Sequence, residues 1–291
     1  MQIDRRRFVA GAAALGATAA LPARALATTG APGDAAAMAL LDKHAEALLV
    51  SYPENAMTLG IDTGKRAALK SALGDHSAGA EAKRRAEAAQ RLTELRAIDT
   101  KTLSPAVTVH VETATVAHEI ALDGWRRMPV GDMAFLSANG YRSTPYVVSQ
   151  GNGAFVDVPD LLENKHQVAD TADAEAYLAR MRAYAQELRD ETERVKADAA
   201  KGVYLPAFLN EITARQLRDG AARPADWAIV TSFGSKTQAA GIAGDWARRA
   251  AAIAEQEIAP ALAAQADAFV ALRPKAPDVA GMWQVPDAAD I

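Results

Sequence analysis

Between residues 171 and 200, Tyr177, Met181, Tyr184, Leu188, Thr192, Val195 and Ala199 recur at steps of three and four, the period of a helix with one inward-facing seam. The spacing predicts one long helix over 171–200, with Gly202 as the C′ residue that ends it. Glu187, Asp190, Glu191, Glu193 and Arg194 fall off that seam, and the same periodicity assigns them to a solvated charged face. Helical spacing also runs through 34–50, where Met38, Leu41, Ala45, Leu48 and Leu49 share a stripe that Tyr52-Pro53 ends. A glycine-punctuated loop, 59–64, follows, and then an alanine-rich helix over 78–98 carrying Leu92 and Leu95.

Segment 105–123 is ambiguous, because Val107, Val109 and Val111 alternate as in a strand while Val109, Thr113, Val116 and Ile120 keep helical spacing. Its length, and the start at Ser104-Pro105, decide for a helix. Pro206 opens a helix to Leu217, Pro224 a short one to Val230, and 242–271 is a long helical stretch interrupted at Pro260. With no internal repeat and no Gly/Ser linker, the expected fold is all-α, an irregular multi-helix array forming one helical domain over residues 28–291.

The N-terminus is a different kind of segment. Asp4-Arg5-Arg6-Arg7-Phe8-Val9 resembles the twin-arginine export motif, with Arg5 and Arg6 as the pair and Phe8 at the hydrophobic position. An apolar, alanine-rich run to Leu21 and the small residues Ala25 and Ala27 complete a signal peptide over 1–27, with cleavage expected after Ala27. Its removal takes four arginines and one aspartate and leaves a net charge of −7. No other stretch is long and apolar enough to span a bilayer, so the expectation is an exported protein, periplasmic or secreted, that is not membrane-embedded.

Composition narrows the function further. Across 291 residues there are 32 Lys and Arg, 36 Asp and Glu, and no cysteine. The acidic balance argues against a general nucleic-acid partner, and the absence of thiols excludes disulfide staples and thiolate-ligated zinc. The five histidines, His44, His76, His110, His118 and His166, lie on different elements. His118-Glu119 is the one place that resembles the start of a zincin helix, but position 122 is Leu where a second imidazole would have to stand. The pair reads as helix surface or as a hydrogen-bonded histidine. There is no Gly-x-Ser-x-Gly elbow, and Gly151-Asn152-Gly153 is neither a P-loop nor a dinucleotide fingerprint. No catalytic group, cofactor site or metal ligand emerges from the chain itself.

The most informative loop is 139–161, which concentrates Tyr141, Arg142, Tyr146, amide side chains and glycines. Tyrosines offer apolar faces with hydroxyl tips, and Arg142 could grip a carboxylate, so Tyr141, Arg142 and Tyr146 are candidate contacts to a peptide ligand. The alternative is a structural connector whose tyrosines fill a gap between helices.

Several segments resemble a known family in the same order: Ser51-Tyr52-Pro53-Glu54-Asn55-Ala56 with Leu59-Gly60-Ile61-Asp62, Thr144-Pro145-Tyr146-Val147-Val148, and Val158-Pro159-Asp160-Leu161-Leu162 with Asn164-Lys165-His166. The stretch from Thr171 to Arg180, Lys201-Gly202-Val203-Tyr204-Leu205-Pro206-Ala207-Phe208, and Gly281-Met282-Trp283-Gln284-Val285-Pro286-Asp287 continue the likeness. Together they resemble the bacterial domain-of-unknown-function 885 family. The resemblance implies an all-helical fold akin to the N-terminal half of a gluzincin-like helical metallopeptidase, and family members about twice this length whose zinc helix lies in their second half. No position here matches that zinc motif, so the resemblance implies one wall of a substrate cleft, with zinc only where a second half supplies the ligands. The expected partners are such a C-terminal half, or a second copy through an exposed apolar face. The alternative is a non-enzymatic periplasmic binding or partner protein; a complete hydrolase with an unfamiliar site ranks last.

Overall fold

The computed structural model describes residues 30–133, 136–137 and 142–281. The export-signal residues Arg5, Arg6, Phe8, Ala25 and Ala27, and Tyr141 of the loop, lie outside the described residues. The architecture is all-α, with ten α-helices among the described residues and a single two-residue antiparallel pairing.

Helix α1 (Asp34–Ser51) ends where Tyr52 leaves helical geometry, and Pro53 opens the short α2 (Pro53–Thr58), its missing N–H being no loss at a first helical position. Gly60 and Gly64 both take positive φ in the loop that the glycines marked, and a 3₁₀ segment, Gly64–Ser71, follows. Ser77 caps α3 (Ala78–Arg96), accepting from the Ala80 N–H at 3.2 Å. Next comes α4 (Pro105–Arg127), so the ambiguous segment is helical. It buries Val111, His118, Ala121 and Trp125 against α1 and α3, and leaves Val109, Val116 and Ile120 on its exposed face.

After the strand pair β1 (Asp132–Met133) and β2 (Ser143–Thr144), the second part of the predicted loop is helical: α5 (Ala154–Asp160) runs into a π turn, Leu161–Lys165. Helix α6 (Thr171–Ala200) has the predicted bounds, with Asp170 capping the Asp173 N–H and Gly202 in positive φ just past its end. Then follow α7 (Ala207–Gly220) and α8 (Ala228–Ala239). The latter corrects the short helix expected over 224–230: Pro224 opens only a 3₁₀ turn, and Ile229, Val230, Phe233 and Thr237 carry the buried face of a helix that continues past Val230 to Ala239. The last stretch is α9 (Trp246–Ile253), a π turn at Ala254–Ile258 and α10 (Ala259–Leu272), in which Pro260 occupies the first turn.

Helix α6 is the axis of the main core. Its Tyr177 stacks on Phe233 with ring centroids 4.2 Å apart, Phe233 meets Trp246 edge-on at 6.3 Å, and Met181, Tyr184 and Leu188 continue the layer toward Ile258, Leu262 and Phe269. Full burial of each such side chain contributes about 1.5–3 kcal/mol. The charged positions of α6 depart from expectation. Glu187, Glu191 and Arg194 are buried, not solvated, because α6 is covered on a second side by the 64–76 segment, β1, β2 and α5. Only Asp190 and Glu193 remain at the surface side.

Candidate functional site

The second side of α6 is built around Arg142. Its Nε donates to Asp157 Oδ2 at 2.7 Å, Nη1 to Glu191 Oε1 at 2.6 Å and to Asp132 Oδ2 at 3.2 Å, and Nη2 to Glu187 Oε1 at 2.8 Å. Glu187 and Glu191 are one turn apart on α6, so their carboxylates project from one face, while α5 supplies Asp157 and β1 supplies Asp132. Arg194 holds Asp132 from below, with Nη1 3.1 Å from Oδ1, and also donates to the carbonyls of His76 and Gly131. His76 completes the cluster: Nδ1 lies 3.2 Å from Asp132 Oδ2 and Nε2 lies 3.7 Å from Glu187 Oε1.

The loop that delivers Arg142 is pinned by its own polar residues. Asn152 donates to the carbonyls of Tyr146 and Val147 and pairs with the Ser149 hydroxyl, and Gly153, at φ 118°, turns the chain into α5. The N-terminus of α5 then meets Glu191, whose Oε1 accepts the Ala154 N–H at 2.8 Å.

Four carboxylates thus share the guanidiniums of Arg142 and Arg194. Burial raises the Asp132 carboxyl, but His76, Arg194 and Arg142 outweigh it and hold Asp132 well below the usual carboxylate range. Glu187 goes the other way: burial drives it well above an ordinary glutamate, and Arg142 does not offset that with Glu191, Glu54 and Asp157 nearby. Glu191 is raised by burial as well. Oε2 of Glu187 and Oε2 of Glu191 are buried with no hydrogen-bond partner among the described residues.

Above this cluster opens a cleft of about 680 Å³. Tyr52, Glu54, Asn55 and Leu59 form one side, Asp157, Asp160, Leu161 and Lys165 the other, and His76, Arg142 and Glu187 the floor. A cleft of this size, part apolar and part acidic, has the room of a small-molecule site. Glu54 is set by the Gly74 N–H, which donates to Oε1 at 2.5 Å, and Lys165 is paired with Asp160 at 3.2 Å.

Of the candidate contacts, the structure brings Arg142 to this cleft, with four of its hydrogen bonds already made to carboxylates. Tyr146 stands elsewhere, at a small separate pocket with Val147, Val203 and Phe269. His118 is a buried histidine on α4: Nδ1 lies 2.7 Å from the Ala114 carbonyl and Nε2 accepts from Arg91 Nε at 3.2 Å, while Glu119 forms a surface ion pair with Arg96. Among the described residues no group of three His, Asp or Glu side chains is disposed to hold a metal ion. Sequence reasoning missed His76, Asp132, Glu187 and Glu191. The one available signal was the length of α6, since a 30-residue helix at the centre of a domain has neighbours on more than one side.

Residues 53–290 match a family model described as a bacterial protein of unknown function, DUF885. The chain belongs to the DUF885 family. Tyr52 apart, the whole cleft lies within the part of this DUF885 chain that the family model matches. Among solved structures the DUF885 chain is similar to that of the putative lipoprotein from Colwellia psychrerythraea, with a TM-score of 0.77 at 17% identity. The match covers 88% of this chain and 44% of that one, so the chain spans less than half the length of the solved protein. At this identity the likeness shows the fold. No curated protein matches the chain. Among the described residues no helix is long and apolar enough to cross a membrane.

Proposed function

We propose that this DUF885 chain is an exported, metallopeptidase-like protein that supplies one wall of a peptide-binding cleft, the zinc-activating groups coming from a second half not represented in residues 1–291. The cleft over Glu54, His76, Arg142 and Glu187 carries this reading, because it joins apolar and acidic walls to a floor fixed by ion pairs, of the kind that orients a polar chain. Arg142 acts as a positioning residue: its guanidinium holds Asp157 and Glu187 in place and is not spent on the ligand. The family resemblance supports the peptidase class, and the share of the solved relative that this chain spans is consistent with a second half. The twin-arginine pattern around Arg5 and Arg6 supports export, in keeping with the name of the solved relative.

A second reading, a helical partner protein without enzymatic activity, is favoured by the apolar stripe of Val109, Val116 and Ile120 on α4, which lies open to a partner. Peptidase assays on the chain alone, and on the chain mixed with a zinc-bearing second half, separate the two. Chelator-sensitive cleavage by the mixture only supports the split cleft; no gain on mixing, with the two polypeptides still associating, supports the partner protein.

A further inference from the structure

The cleft as a whole holds more acid than base. That excess comes from the surrounding lining: Glu54 and Asp157 on the two sides stand over Glu187 in the floor, Arg142 is shared out among four carboxylates, and Lys165 is engaged by Asp160 at the rim. Two features go beyond the acidic balance. Glu187 is 5% exposed, lies at the inner end of the cleft, and keeps Oε2 without a hydrogen-bond partner among the described residues. Buried polar atoms are almost always satisfied, so an orphaned carboxyl oxygen at the end of an open cleft is one partner short. The second feature is Gly74. The place a Cβ would take there lies 3.3 Å from His76 Nε2 and 3.4 Å from Glu54 Oε2, so polar atoms of two elements converge on a notch that a side chain would block.

We propose, on the same reading of the cleft as a peptide site, that its inner end between Glu54, His76, Asp157 and Glu187 is a subsite for a cationic nitrogen of the ligand, an ammonium or guanidinium group. Such a group takes the place of the proton on Glu187 and supplies a donor to its unpartnered Oε2, and it brings positive charge into a cluster where four carboxyl groups share two guanidiniums. Anionic groups are excluded, because Arg142 faces the cleft with four of its hydrogen bonds already made to carboxylates.

The cation also exchanges for a proton. The groups that face Glu187 are Arg142, His76 from the segment before α3, Glu54 from α2, Asp157 from α5, and Tyr184 and Glu191 from α6 itself. Without a ligand, burial keeps Glu187 protonated well above the ordinary glutamate range. An ammonium beside it favours the carboxylate, and the proton leaves to the buffer. Binding therefore tightens as pH rises.

Calorimetric titration of the whole chain tests this with four probes: butylammonium chloride, a capped Gly-Lys-Gly tripeptide, an N-terminally free Gly-norleucine-Gly amide, and its capped neutral form. The expected result is that the cationic probes bind at least about tenfold more tightly than the neutral one, with an advantage that grows from pH 5 to pH 7, below the α-amino range near pKa ~8, and an observed enthalpy that changes linearly with the ionisation enthalpy of the buffer, as proton release requires. The two tripeptide cations tell whether the subsite takes a side chain or a chain terminus. Glu187→Gln abolishes the preference, and Glu54→Gln, at the more open side, reduces it with no loss of melting temperature. Equal affinity for neutral and cationic probes, or a preference that survives both substitutions, overturns the cation subsite while leaving the peptide cleft standing. Glu187-dependent binding of butylammonium with no binding of any tripeptide keeps the subsite and removes the peptide reading. If none of the four probes binds, both fall.

Discussion

Arg142 Nη1 donates to Glu191 Oε1 at 2.6 Å, and that same oxygen accepts the Ala154 N–H at 2.8 Å. One buried carboxylate of α6 thereby ties Arg142, the residue before β2, to the first turn of α5, so the floor and one wall of the cleft are held by a single atom.

The consequence is that Arg142 cannot be replaced by its nearest relative. Lysine carries a point charge and cannot span Asp132, Asp157, Glu187 and Glu191 from one planar group. Breaking a buried ion network leaves carboxylates uncompensated, at a cost of about 3–5 kcal/mol. Urea unfolding of Arg142→Lys is expected to show a lower midpoint at unchanged slope; a loss under about 0.5 kcal/mol contradicts the network.

Stability falls on acidification because of His166. Arg180, 0% exposed, donates to His166 Nδ1 at 3.0 Å and to the carbonyls of Leu69 and Ala72, which staples the 3₁₀ segment to α6. Burial, with the Arg180 charge beside it, pulls His166 down from 6.5 to about 4. The unfolded chain therefore takes up a proton first. The stabilisation from neutral His166 is complete above pH 6.5 and is lost as pH falls toward 4, amounting to roughly 3 kcal/mol. Denaturation curves between pH 7.5 and 4.5 should show this slope, and His166→Asn should flatten it.

Gly131 has no tolerated replacement. At φ 74° a Cβ would stand 2.5 Å from the Thr144 carbonyl oxygen and 2.6 Å from the Pro145 carbonyl carbon, both of them backbone. Gly131→Ala is expected to cost about 1–3 kcal/mol and to loosen Asp132 and the cluster beneath the cleft. A melting temperature within a degree of the parent contradicts the close approach.

The two faces of α4 should respond oppositely. Trp125→Ala empties a site packed against Ala88 and Ala121 and is expected to cost about 3–5 kcal/mol. Ile120, 61% exposed, should accept serine within about 0.5 kcal/mol. If Ile120→Ser instead unfolds the chain, that face is core and not a partner surface. Sedimentation of the parent and of Ile120→Ser shows whether the stripe drives self-association.

Helices were the legible part of the sequence, because apolar period, prolines and caps act locally: α6 has its predicted bounds, Tyr52-Pro53 marks a real helix end and Ser104-Pro105 a real start. Which side of a helix is covered is a tertiary matter. The seam through Tyr177, Met181 and Leu188 was readable, but Glu187 and Glu191 look like surface residues until Arg142, 45 and 49 positions away, is placed against them. On α4 the valine stripe that signals a helix is the exposed one, and the buried one carries His118 and Trp125. The site stayed hidden for the same reason: it is an ion network among α2, the segment before α3, β1, β2, α5 and α6, with no local motif.

Hydrogen exchange of the whole chain with and without a saturating mixture of short basic peptides tests the peptide cleft most directly. Protection is expected in residues 52–59, 73–76 and 151–165, and the Glu187→Gln protein should lose it. Protection confined to the exposed face of α4, or none at the cleft, would contradict the peptide cleft.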